Sequence, residues 1–166
     1  MNLELHCQPL TATAFAPFGA VLETTGHGAT SINHGLTDKY AQLARLAVDE
    51  GAQLQAAIYR SRPVALPYPL LELERHPLAC QLFMPLDGRP FPIVVAASTA
   101  APRPGELHAF MSDGRQGVCL HPGTWHHHQL SLGAACDYLV IERIGEAGNI
   151  ETVALPPGMR LCGLRD

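Results

Sequence analysis

Two short segments of this 166-residue chain concentrate the side chains that could do chemistry. The first, residues 117–128, gathers four of the nine histidines around a Pro122-Gly123 turn that leads into Thr124-Trp125-His126-His127-His128. Side chains on a strand alternate in direction, so His126 and His128 should share one face, and Trp125 and His127 the other. Imidazole is both the usual acid/base near neutral pH and the usual metal ligand. The second segment is Glu72-Leu73-Glu74-Arg75-His76-Pro77, with Gln81 opening the next apolar run. When extended, it turns Glu72, Glu74 and His76 to one face and Leu73 and Arg75 to the other. Carboxylate and imidazole at this spacing can pass protons, or hold a divalent ion through oxygen and nitrogen.

The elements that must position these groups read as short strands. Residues 20–23, 81–86, 91–97, 107–112, 117–121, 124–130 and 137–144 are apolar or alternating runs, punctuated by turns such as Asp87-Gly88, Asp113-Gly114 and Pro122-Gly123. Residues 11–16 fit a short helix capped by a threonine. Residues 43–48 and 54–59 flank Asp49-Glu50-Gly51 as a hairpin, although Tyr40, Leu43, Ala44 and Ala47 also fit a helical period. Frequent turns without a long helix predict an all-β sandwich or barrel, mainly antiparallel, with a few short helices.

Composition removes several classes of function. The chain is 47% hydrophobic and 16% charged, which argues against disorder and for one domain over residues 1–166. Its net charge is −4 and its one lysine is Lys39, so a nucleic-acid partner is not expected. Five widely spaced cysteines without a Cys-x-x-Cys pair read as buried reduced thiols. No run approaches the ~20 apolar residues of a membrane span. The start of the chain lacks the basic and apolar stretches of a secretion signal, so the reading is cytoplasmic. Gly26-His27-Gly28 lacks the rest of a dinucleotide fingerprint, and no Gly-x-Ser-x-Gly segment suggests a serine hydrolase.

Glu74-x-His76-x4-Gln81 resembles the first cupin motif, with Glu74 in place of a histidine and Gln81 in place of the glutamate. Residues 117–126 resemble the second. The resemblance then narrows. Ile32-Asn33-His34-Gly35-Leu36, Glu72-Leu73-Glu74-Arg75-His76-Pro77-Leu78, Gln81-Leu82-Phe83-Met84-Pro85, Ala109-Phe110, Gln116-Gly117-Val118 and Trp125-His126-His127 are similar, in the same order, to the ureidoglycolate lyase family. Some members carry the name ureidoglycolate hydrolase. The resemblance implies a cupin-like β-barrel of the double-stranded β-helix type and a homodimer. It also implies cleavage of (S)-ureidoglycolate to glyoxylate and urea in allantoin catabolism.

That substrate carries hydroxyl, carboxylate and ureido nitrogen on one carbon, so it needs a base, an acid and a cation. His76, His126 and Glu74 are the catalytic candidates, and burial is expected to raise the pKa of Glu74. Glu74, His76, Gln81 and His126 would hold a divalent metal such as Ni or Mn, with glutamine as the weak ligand. Arg60 or Arg75 would grip the carboxylate, and Gln81 and Asn33 the ureido group. His121 either caps the turn or belongs to the site.

Plainer readings stand beside these. Arg75 could pair with a carboxylate such as Glu142, and Arg60 could be a surface residue. Trp125 reads as a core or interface anchor, His127 and His128 as a solvated or interface edge, and His6, His27, His34 and His108 as surface or loop residues. Three other functions remain open: a hydrolase releasing ammonia, a metal-dependent dioxygenase, and a small-acid binding module without turnover.

Overall fold

Strands dominate the computed structural model, which describes residues 3–145 and 148–165. Eight form one sheet, in the order Glu151–Ala154, Glu72–Arg75, Trp125–His126, Pro92–Ala96, His108–Met111, Leu3–Pro9, Met159–Leu164 and Tyr68–Pro69. Five form a second: Gly19–Leu22, Gly117–Leu120, Gln81–Pro85, Cys136–Ile144 and Gln53–Ser61. The larger sheet is mixed, because Leu3–Pro9 runs parallel to both neighbours. It curls strongly into a half-barrel, in keeping with the all-β cupin-like expectation.

The strand Pro92–Ala96 explains why the larger sheet holds together. All five of its residues are buried, and the four from Ile93 to Ala96 alternate between two cores. Ile93 and Val95 join Phe15, Phe18, Phe83, Phe91, Phe110, Val118 and Tyr138 on one side. Val94 and Ala96 join Leu70, Leu73, Trp125 and Leu161 on the other. A strand covered on both faces reads as a continuous apolar run, as Ile93-Val94-Val95-Ala96 does. Edge-on ring pairs fix the first core, Phe15 with Phe110 at 5.3 Å and Phe91 with Tyr138 at 5.2 Å. The expected helix is the short Ala12–Phe15, whose Thr11 hydroxyl accepts a bond from the Ala14 amide (3.2 Å) and which sends Phe15 into that core.

Three local expectations are corrected. Residues 43–48 form neither hairpin arm nor helix; their one ladder contact is an isolated bridge from Val48 to Ala79. The strand Gln53–Ser61 pairs instead with Cys136–Ile144 along its whole length. Asp49 meanwhile is gripped by Arg143 through two bonds of 2.6 and 3.0 Å. In residues 124–130 only Trp125–His126 is strand.

Beyond that strand His127 is buried rather than solvated, its ring edge-on to Tyr68 at 5.9 Å. His128 is exposed, as expected. The cysteines are all free, four of them buried.

Burial chiefly, with the neighbouring His128, lowers the pKa of His127 from 6.5 to about 4. The folded protein therefore keeps this ring neutral where the unfolded chain takes up a proton. The stabilisation is complete above pH 6.5 and is lost as pH falls from 6.5 to 4. Unfolding in urea should show about 3 kcal/mol of stability disappearing over that interval. A His127→Gln protein should lack most of this slope; an unchanged slope would place the acid sensitivity elsewhere.

Candidate active site

The larger sheet brings the two chemistry-bearing segments together. Glu74 and His126 sit directly opposite each other on adjacent antiparallel strands. His76 follows just past the end of its strand, where its carbonyl accepts the Gly123 amide (2.9 Å), tying it to the Pro122-Gly123 turn. Gly123 has φ +79°, a left-handed backbone that glycine adopts freely. The result is a compact group. Oε1 of Glu74 lies 3.5 Å from Nε2 of His126 and 4.0 Å from Nε2 of His76, and the two rings are 5.3 Å apart.

Backbone carbonyls set the chemistry of both rings. His126 Nδ1 lies 2.9 Å from the Thr124 carbonyl, and His76 Nδ1 lies 2.7 Å from the Asn149 carbonyl. A carbonyl can only accept, so each Nδ1 carries the hydrogen and each Nε2 presents a lone pair when neutral. Both Nε2 atoms are buried with no hydrogen-bond partner, and so is Oε1 of Gln81. Gln81 comes from the second sheet and lines a cavity of about 240 Å³ with His76, Cys80, Glu142, Arg143 and Asn149.

The burial expected to raise the pKa of Glu74 is outweighed. When its Nε2 carries a proton, the imidazole of His126, within bonding range, holds this carboxyl below its usual range, and the charges of His126, His76 and His128 add to the effect. Glu74 is therefore ionised at neutral pH. One carboxylate and two imidazole lone pairs converge, their ligand atoms within 4.8 Å of one another, and the orphaned Gln81 carbonyl belongs to a residue that lines a cavity with His76. This acceptor-only set fits a divalent cation of the Ni²⁺ or Mn²⁺ class. The carbonyl bonds to Nδ1 are the outer contacts that usually fix a ligating histidine. Among the described residues a second such group, Glu4, His6 and Cys162, lies elsewhere on the larger sheet.

The other candidates lie apart from this group. Arg60 forms two bonds of 2.7 Å with Asp137 on exposed strand surface. Arg75, on the opposite face of its strand from Glu74, bonds Glu151 and stacks 4.6 Å over Trp125, so its carboxylate partner is Glu151 rather than Glu142. His121 is exposed at the turn. Asn33 is exposed on a hairpin, bonded to Thr37 (3.2 Å).

Sequence reasoning did not single out Asn149. Its carbonyl orients His76 and its side chain accepts the Leu78 amide at 2.8 Å. Nothing in its local sequence marks it. Sequence reasoning offered Glu142 only as a partner for Arg75. Here it lines the cavity and accepts a 2.6 Å bond from the Tyr59 hydroxyl. Among the described residues no helix is long and apolar enough to cross a membrane.

Residues 2–162 match the family model described as ureidoglycolate lyase. The chain is 42% identical to ureidoglycolate lyase 1 of Rhizobium meliloti (strain 1021), over 91% of this chain and 89% of that protein. It is 40% identical to ureidoglycolate lyase of Burkholderia mallei (strain NCTC 10229), over 95% and 92%. It is 44% identical to ureidoglycolate lyase of Stutzerimonas stutzeri (strain A1501), over 89% and 87%.

Proposed function

This chain belongs to the ureidoglycolate lyase family, and from that premise we propose that it cleaves (S)-ureidoglycolate to glyoxylate and urea in the breakdown of allantoin. We read it as a single domain acting in the cytoplasm. The observation that carries the site assignment is the convergence of Glu74, His76 and His126, with both Nε2 lone pairs buried and unpartnered.

The reaction is an elimination. The hydroxyl O–H bond breaks, a carbon–oxygen double bond forms, the carbon–nitrogen bond breaks, and the ureido nitrogen gains a proton. No water is consumed, and the net change is one proton moved from oxygen to nitrogen. Glu74, held ionised, accepts the hydroxyl proton and returns it to the leaving nitrogen. His76, Gln81 and His126, with Glu74, are the residues that would hold a divalent ion. Such an ion supplies Lewis-acid polarisation of the hydroxyl and carboxylate oxygens. The bonds from Nδ1 to Thr124 and Asn149 keep both imidazoles aimed at the centre.

A metal-free reading has one observation in its favour. Glu74 Oε1 is near enough to both Nε2 atoms to stabilise an imidazolium at either. In that case His126 takes the hydroxyl proton, His76 protonates the nitrogen, and Glu74 lies between them to pass the proton back. An Nε2 lone pair cannot bind an ion and a proton at once, so the two readings exclude each other.

Product analysis tests the function. Purified protein given racemic ureidoglycolate should release glyoxylate and urea in equal amounts, consuming one enantiomer and making no ammonia. Ammonia would mean attack at the ureido carbonyl and a hydrolase. Binding without product would leave a small-acid binding module.

A further inference from the structure

The strands Leu3–Pro9 and Met159–Leu164, from opposite ends of the chain, lie side by side and parallel in the larger sheet. Alternation along them sends Leu3, Leu5, Cys7, Met159 and Leu161 toward the core around Trp125. It sends Glu4, His6, Arg160 and Cys162 to the opposite face. Register then sets His6 directly across from Cys162, with Glu4 two residues back on the same side. Arg160, across from Glu4, bonds the Pro67 carbonyl at 3.0 Å.

Three ligand atoms meet on this face. Nε2 of His6 lies 3.5 Å from Oε2 of Glu4, and the ligand atoms of Glu4, His6 and Cys162 all lie within 4.8 Å of one another. Zinc bonds of about 2.0–2.3 Å at tetrahedral angles hold ligand atoms about 3.3–3.8 Å apart. The group is already near that size, and side-chain rotation closes the difference without moving either strand.

The donor types choose the ion. Thiolate, imidazole and carboxylate together suit a borderline-soft cation of the zinc class, whereas Mg²⁺ and Ca²⁺ take oxygen ligands. Four of the five cysteines are buried, and Cys162 is the half-exposed one. Glu4 is exposed and His6 half-buried, so solvent reaches the group and water can complete four-coordination. Two strands, Pro92–Ala96 and His108–Met111, stand between Leu3–Pro9 and the strand of His126, so this is a separate centre from the one at Glu74.

We infer that Glu4, His6 and Cys162 form a second metal site, selective for zinc-class ions, that clips the first strand to the last. Binding exchanges the Cys162 thiol proton for the ion and releases that proton to solvent. The unfolded chain does not bring its two ends together, so the ion binds the folded protein in preference and stabilises it. Nothing in this role depends on the reaction performed at Glu74, His76 and His126.

Cobalt reports the site, because a thiolate on Co²⁺ gives an intense near-ultraviolet charge-transfer band that imidazole and carboxylate ligands do not. Reduced, chelator-treated protein given Co²⁺ should show this band. Zn²⁺ should abolish it and Mg²⁺ should leave it unchanged. Cys162→Ser should lack the band, and His6→Ala should bind Co²⁺ at least ~10-fold more weakly. These side chains face away from the core, so both variants should keep the circular dichroism of the unaltered protein. No band in the unaltered protein, or a band that survives Cys162→Ser, overturns the proposal.

Alkylation by iodoacetamide, located by mass spectrometry, gives a second readout. Zn²⁺ should slow modification of Cys162 more than ~10-fold, both in the unaltered protein and in His126→Ala, where the other centre is broken. In His6→Ala the protection should disappear. Equal rates with and without Zn²⁺ would reject the site, and so would full protection in His6→Ala, which would mean zinc held by the thiol alone.

Discussion

His126→Ala protein should lose ~10³-fold or more in kcat while staying folded. The ring is almost completely buried, its Nδ1 is committed to Thr124, and its Nε2 lies 3.5 Å from Oε1 of Glu74. In either reading of the site this one lone pair has no substitute, as metal ligand or as base. The companion effect on stability is the diagnostic one. A well-packed buried ring normally costs several kcal/mol to truncate. Here the loss is offset, because an unsatisfied buried acceptor itself costs about 1–3 kcal/mol. The variant should therefore unfold in urea close to the unaltered protein. Glu74→Gln should behave likewise, since it keeps the shape and removes the charge. Near-normal turnover in both would dismantle the site assignment. Inactivity with collapsed stability would reduce His126 to a packing residue.

Removing divalent ions should be the second large effect. Chelator-treated protein is expected to lose roughly 10²–10³-fold in turnover and to recover it on adding Ni²⁺ or Mn²⁺. The reason lies in the inventory of atoms. The Nε2 atoms of His76 and His126 and a carboxylate oxygen of Glu74 lie within 4.8 Å of one another, and the unpartnered Gln81 carbonyl belongs to a residue lining the same cavity as His76. An anionic substrate bound beside them would also meet the carboxylates of Glu74 and Glu142. One cation answers both problems. Gln81→Ala should weaken ion binding by about tenfold, measured by calorimetry and not by activity, because a neutral carbonyl is the weakest of the four ligands. Undiminished turnover in metal-free protein would assign the proton transfers to His126 and His76 instead. Added metal would then inhibit.

The core of this site was legible because strand periodicity is local. Glu74 and His76 are two residues apart, so an extended chain turns both to one face wherever the sheet lies. The apolar run before Ala97 and the Asp113-Gly114 turn declared themselves for the same reason. What depends on register could not be read. Arg60 and Arg75 looked available for a carboxylate until pairing set Asp137 beside one and Glu151 beside the other. Residues 43–48 carried strand and helix patterns together, and a bridge to Ala79 overrode both. The pKa of Glu74 moved opposite to expectation because proximity to His126 outweighed burial, a balance set across two strands. Asn149 was invisible: its part is played largely by a backbone carbonyl, which every residue type possesses.

One feature of the topology bears on when the enzyme can first work. The strand Leu3–Pro9 takes Met159–Leu164 as a neighbour, and the orientation of His76 depends on Asn149. Both contacts join parts of the chain made early in translation to parts made late. A nascent chain halted after His126 already contains Glu74, His76 and His126, yet it lacks the carbonyl that turns the His76 ring and the strand that flanks the first. Pairings this distant form slowly and late. A chain halted after His126 should therefore show no activity, and turnover should begin only once Asn149 and the strand Met159–Leu164 are in place.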